Sequence, residues 1–185
     1  MKKRYILFHK PYGYLSQFTG LTGQKTLSEF GFPEGVYAAG RLDKDSEGLL
    51  LLTNDGPFKN QLLNPRSQHR KTYLVQVEGV PTAAALQNLR RGVVIKGYKT
   101  KPCQAVLCTE SPDVLPRDPP IRHRINVPTR WMRITLTEGK NRQVRRMTAK
   151  VGFPTLRLIR TQIEKAQLGE LASGEWCDVS RREIL

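Results

Sequence analysis

Acidic residues are scarce in this 185-residue chain: 16 Asp and Glu stand against 31 Lys and Arg, a formal net charge of +15 at pH 7. A small soluble domain needs a net charge of only about 2–8 to stay dispersed, so the excess favours a polyanionic partner, nucleic acid first. Long apolar runs are missing too, which excludes a membrane-spanning helix. The basic segments are broken by Pro and Gly instead of forming one amphipathic anchor, so no membrane partner is expected. The opening MKKRYILFHKPYG puts positive charge before apolar residues, as a signal peptide would, but His9, Lys10 and Pro11 interrupt it early and it reads as a first strand. Cys103, Cys108 and Cys177 are odd in number and form no CxxC pair, and His9, His69 and His123 are far apart. A reduced, metal-free protein is expected, which suits the cytoplasm.

What is present is an ordinary globular mixture, 38% apolar and 25% charged, enough for one compact unit or two small subdomains. Strands are expected at Tyr5–Phe8, Val36–Ala39, Leu49–Leu52, Thr72–Val77, Val93–Ile95, Ala105–Leu107, Trp131–Thr137, Thr155–Ile159 and Trp176–Val179. Leu49–Leu52 is apolar throughout, as a strand buried on both faces would be. Helices are expected at Gly56–Leu63, at Thr82–Arg91 with Thr82 as N-cap and Gly92 closing, and at Asn141–Val151, with a helical turn at Thr26–Phe30. The Pro- and Arg-rich stretch Ser111–Thr129 lacks periodicity and reads as an irregular surface loop, either a substrate-choosing element or a solvated insertion. Runs of strands with few helices predict an α+β fold: a mixed, largely antiparallel central sheet flanked by helices. A subdomain boundary falls near Ser67, dividing the chain into 1–68 and 69–185.

Several residues draw attention on chemistry alone. The loop Gly40–Gly48 crowds Arg41, Asp43, Lys44, Asp45 and Glu47 between two apolar strands, where a reactive group can be held rigidly or a solvated turn can form. On the helix Asn141–Val151, Arg142, Arg145, Arg146 and Ala149 share one face, with Val144, Met147, Thr148 and Val151 opposite. That basic stripe suits phosphate binding, and spacing does not choose among the three arginines. Tyr73, in a strand with Val75 and Val77, reads as a core aromatic. Lys71, His9 and Lys10 read equally as phosphate contacts or surface decoration.

The run GRLDKDSEGLLLLTNDG at 40–56 resembles the motif of bacterial ribosomal pseudouridine synthases in which the Asp after Arg-Leu is the catalytic carboxylate. The resemblance extends to FHKPYG at 8–13, KTYLVQVEG at 71–79, EGKNRQVRRM at 138–147 and LRLIRTQIEKAQLGELASGEW at 156–176, in the family's order, and PRDPPIRHR at 116–124 resembles part of that family more narrowly. It implies a pseudouridine synthase fold with two subdomains around a basic catalytic cleft, and site-specific isomerisation of a uridine in 23S rRNA. No cofactor is required for that reaction. The same resemblance implies that Asp43 acts on the ribose, that Arg145 pairs with it, and that Tyr73 stacks on the flipped uracil. Leu158 becomes an apolar wall beside the base, while Arg142 and Arg146, on the basic helix face, and Arg41 are expected to bind RNA. Because the first motif begins almost at Met1, a single catalytic domain without a small N-terminal RNA-binding domain is expected, acting as a monomer on free rRNA or an assembling large subunit. The competing class is a noncatalytic RNA-binding protein on the same scaffold, which would be free to lose Asp43, Tyr73 or Arg145.

Overall fold

The structure, a computed structural model, describes residues 2–121, 124 and 126–185. In chain order its elements are β1 (Tyr5–Lys10), β2 (Tyr37–Ala38), β3 (Glu47–Thr53), α1 (Gly56–Leu63), β4 (Lys71–Glu78), α2 (Ala83–Arg91), β5 (Val94–Ile95) and β6 (Tyr98–Lys99). They continue with β7 (Gln104–Leu107), β8 (Thr129–Leu136), α3 (Gln143–Lys150), β9 (Thr155–Ile163), β10 (Ala166–Gln167) and β11 (Trp176–Val179). Two compact units result, one built from the chain through His69 together with Ile159–Leu185, the other from Arg70–Leu158. The expected division kept 159–185 with the second part. Here β1 pairs with β11, and β3 pairs with Ile159 and Arg160 of β9, which draws residues 159–185 into the first unit.

In the first unit β3 is the central strand. It is antiparallel to β1 and parallel to β9, so the sheet is mixed as expected. All seven β3 residues are buried, and the reason is two-sided. Leu7 lies opposite Leu51 in the register, and both join Phe58 and Leu62 of α1, Ile163 and Ile184 in one cluster. On the other face Phe8 lies opposite Leu50 and meets the rings of Phe30 and Phe32 at 4.7 and 5.0 Å. Burying each such side chain contributes about 1.5–3 kcal/mol, which is why the strand reads as an unbroken leucine run. Helix α1 starts where Asp55 accepts from the Phe58 amide at 3.2 Å.

In the second unit β8 is central, antiparallel to both β4 and β7. Its buried residues Met132, Ile134 and Leu136 alternate with the outward Arg133 and half-buried Thr135, the period of a strand with one covered face. Helix α2 packs on β7 and α3 on β5. The Thr82 hydroxyl caps α2 by accepting from the Ala85 amide at 3.2 Å, as its sequence announced.

Helix α3 departs from expectation. It spans Gln143–Lys150, not Asn141–Val151, because Arg142 takes a left-handed backbone (φ 52°) and the Gln143 side chain folds back to accept from the Lys140 amide at 2.9 Å. Arg142 therefore precedes the helix and is exposed, and the helical basic stripe shrinks to Arg145 and Arg146. Val144, Met147 and Thr148 are buried, as the face assignment required.

Candidate active site

The loop between β2 and β3 carries Asp43, half-buried, with Arg41 and Lys44 exposed beside it. Backbone contacts fix it on both sides. The Ser16 hydroxyl donates to the Leu42 carbonyl at 2.8 Å while accepting from the Leu42 amide at 2.9 Å. The Gly13 amide donates to the Lys44 carbonyl at 2.8 Å, and the Ser46 amide closes a turn onto the Asp43 carbonyl at 3.0 Å. A loop backbone so anchored fixes the point from which the carboxylate projects, as a reacting group needs.

Beneath the loop lies a group of buried charges. Lys10 is fully buried, Glu47 and Arg160 are 5% exposed, and the Arg160 Nε donates to the Leu49 carbonyl at 2.8 Å. The Lys10 ammonium donates to the carbonyls of Pro11 and Tyr14 at 2.7 and 2.8 Å. Burial pulls its pKa down to about 8, against the opposing pull of Glu47, Asp45 and Asp43, and Arg160 lowers it further. Lys10 is thus no surface decoration. It shares β1 parity with the core residues Ile6 and Phe8, and that two-residue period was the available signal.

A pH dependence follows. The folded pKa, about 8, lies below the ordinary 10.5, so the unfolded chain binds more protons between those values and stability gains as pH rises through that window. The contribution is present above 10.5 and lost as pH falls through about 8. Over the full window it is on the order of 3 kcal/mol. Urea unfolding of wild type and Lys10→Met at pH 7.5, 8.5 and 9.5 (roughly spanning its titration) should show wild type gaining on the variant as pH rises. A constant difference would rule this titration out.

The remaining candidates lie in the second unit. Tyr73 is buried in β4, opposite Ile134 of β8. Arg145 is half-buried on α3 and its Nη1 donates to the Thr155 carbonyl at 3.4 Å. Next to it, the Arg146 Nη2 donates to the Asn141 Oδ1 at 2.7 Å. Leu158 is buried in β9. Asp43 and Arg41 therefore share one loop of the first unit, while Tyr73, Arg142, Arg145, Arg146 and Leu158 belong to the second.

Sequence reasoning missed two polar fixtures of the second unit. Glu138 accepts from the Tyr98 hydroxyl at 2.6 Å and from the Gln143 side-chain amide, which is buried at the start of α3. Arg157, also buried, donates to the Leu115 carbonyl at 2.8 Å and so holds the long loop after β7. Residues isolated in sequence, such as these, offer no periodic signal. In that loop Arg117 bonds the carbonyls of Pro119 and Pro120 at 2.8 and 3.0 Å, and Arg124 pairs with Glu78 at 3.5 Å. Arg122 and His123, part of the stretch read as either a substrate-choosing element or a solvated insertion, lie outside the described residues. Among the described residues no helix is long and apolar enough to cross a membrane.

Comparison with known proteins places this site in context. The model of the RNA pseudouridylate synthase family matches residues 4–150, a span that holds Asp43, Tyr73 and Arg145. The ribosomal large subunit pseudouridine synthase E of Vibrio vulnificus (strain CMCP6) is 52% identical over 179 residues, covering 97% of this chain and 76% of its own. The protein of the same name from Xanthomonas campestris pv. campestris is 52% identical over 173 residues, covering 92% of each. The ribosomal large subunit pseudouridine synthase B of Bacillus subtilis (strain 168) is 34% identical over 182 residues, covering 97% of this chain and 69% of its own. Among solved structures, a crystal structure of pseudouridylate synthase superposes with a TM-score of 0.80 at 27% identity, covering 99% of this chain and 73% of that one.

Proposed function

The chain belongs to the RNA pseudouridylate synthase family, and from that premise we propose that it isomerises a uridine of 23S rRNA, free or in an assembling large subunit, to pseudouridine in the cytoplasm. The observation that carries this is the 52% identity to a ribosomal large subunit pseudouridine synthase E across 97% of the chain. In the reaction the bond from ribose C1′ to uracil N1 breaks and a bond from C1′ to C5 forms. The C5 proton leaves and N1 gains one, so oxidation state is unchanged and no cofactor is called for.

Asp43 acts on the ribose as nucleophile or base, in either role as the ionised carboxylate. Arg145 supplies the cation that keeps it ionised. Tyr73 stacks on the uracil taken out of its RNA stack, with Leu158 as an apolar wall. Arg41, Arg142 and Arg146 bind RNA phosphate, and the protein acts as a monomer. The supports for these roles are the anchored loop under Asp43, the half-buried setting of Arg145 and the exposure of Arg41 and Arg142.

The test is release of tritium from rRNA labelled at uracil C5. Wild type should release it, and tight binding without release would replace the enzyme with a binding module. Roles within α3 separate by a second comparison. Arg145→Ala should lower turnover at saturating RNA by at least about 100-fold. Arg146→Ala should chiefly weaken binding, with the slope of log K against log salt falling by roughly 0.7–0.9. Equal effects of both substitutions on turnover and on affinity would undo the division.

A further inference from the structure

The hairpin of β5 and β6 is closed by Lys96 and Gly97, both left-handed at φ 49° and 74°, as a two-residue turn between paired strands demands. Lys96 stands at its tip, and Lys96, Lys99 and Lys101 are exposed. A single carboxylate ties this hairpin to the segment that leads into α3. Glu138 accepts from the Tyr98 hydroxyl at 2.6 Å, from the Lys101 backbone amide at 2.9 Å and from the Gln143 side chain. The Lys140 ammonium lies 4.1 Å from the centre of the Tyr98 ring, and β5 packs on α3. Hairpin and helix start thus form one braced surface within the second unit.

Its charge is predominantly positive. The stretches 94–101 and 138–150 hold three and five Lys or Arg respectively, and Glu138 is their sole acid. That acid is occupied by three neutral donors. Lys96, Lys99 and Lys101 form no ion pair with a described residue. A surface that serves solubility alone intersperses both signs, whereas exposed lysines such as Lys96, Lys99 and Lys101 on a rigid frame suit a polyanion, because little order remains to be imposed on binding. From this we infer that the β5–β6 hairpin, with Lys96 and Lys99 as its contacts, grips the phosphodiester backbone of the substrate RNA as a second contact surface beyond the residues that act on the uridine. The inference rests on the reading of RNA as substrate.

Binding of a 23S rRNA fragment to the full chain tests it, over a salt series, for wild type, Lys96→Ala/Lys99→Ala and a control pair, Lys2→Ala/Lys165→Ala, that removes equal charge from exposed sites of the first unit. The hairpin variant should bind about 5–20-fold more weakly near physiological salt, with the log–log salt slope smaller by about 1.4–1.8. Its turnover at saturating RNA and its melting temperature should match wild type. If affinity and slope change no more than in the control pair, the hairpin is not a contact surface. Failure of the function itself looks different: wild type would then release no tritium, whatever the hairpin contributes to affinity.

Discussion

Asp43→Asn is expected to bind rRNA as wild type does, to melt at a similar temperature, and to release tritium from C5-labelled uridine at least about 10⁴-fold more slowly, the scale on which loss of a reacting group acts. The contacts that hold the loop explain why the two effects separate. Ser16 grips both backbone groups of Leu42, Gly13 holds the Lys44 carbonyl, and the Ser46 amide bonds the main-chain oxygen of Asp43. These leave the loop in place when a side-chain carboxylate becomes an amide of the same shape. What vanishes is the capacity to attack carbon or accept a proton. Asp45→Asn is the matched control, since Asp45 sits in the same loop, is half-buried, and like Asp43 carries a charge that favours the protonated Lys10. It should stay within about tenfold of wild type. Full activity in Asp43→Asn would remove Asp43 from the mechanism.

Gly48→Ala is expected to cost more than about 4 kcal/mol and to leave little folded protein. Gly48 sits at the start of β3 with φ +101°, in register with Arg160 on the parallel β9. A Cβ built there would stand 2.3 Å from the Arg160 carbonyl oxygen and 2.7 Å from its nitrogen. Both obstacles are backbone, so no rotamer change relieves them. To make room β3 and β9 must part, and the Asp43 loop loses the strand on which it ends. Gly56→Ala provides the contrast: it opens α1, has open space around it, and should change stability by less than about 1 kcal/mol. Urea unfolding of both variants decides the matter, and a loss below about 1 kcal/mol in Gly48→Ala would show that the close approach is not tight.

The regular elements were legible wherever period and punctuation agreed. Thr82 and Gly92 marked both ends of α2, and the leucine run of β3 announced its double burial. Position 142 was not legible, because its left-handed backbone and the Gln143 fold-back are local tertiary choices that a helical period cannot see. The return of residues 159–185, the latter part of β9 and all of β11 among them, to the first unit was hidden as well, since strand pairing is a non-local decision. For the site, charge density drew attention to the loop of Asp43, yet only the family motif distinguished it from a polar turn. Lys10 was readable in principle from its place with Ile6 and Phe8, but a lysine at a core position runs against the usual burial of its type.

The most direct test of the central claim is a map of pseudouridines in 23S rRNA from cells with the gene, cells without it, and cells supplied with Asp43→Asn. One defined uridine should be converted in the first and remain unconverted in the other two. An identical map in all three would contradict it.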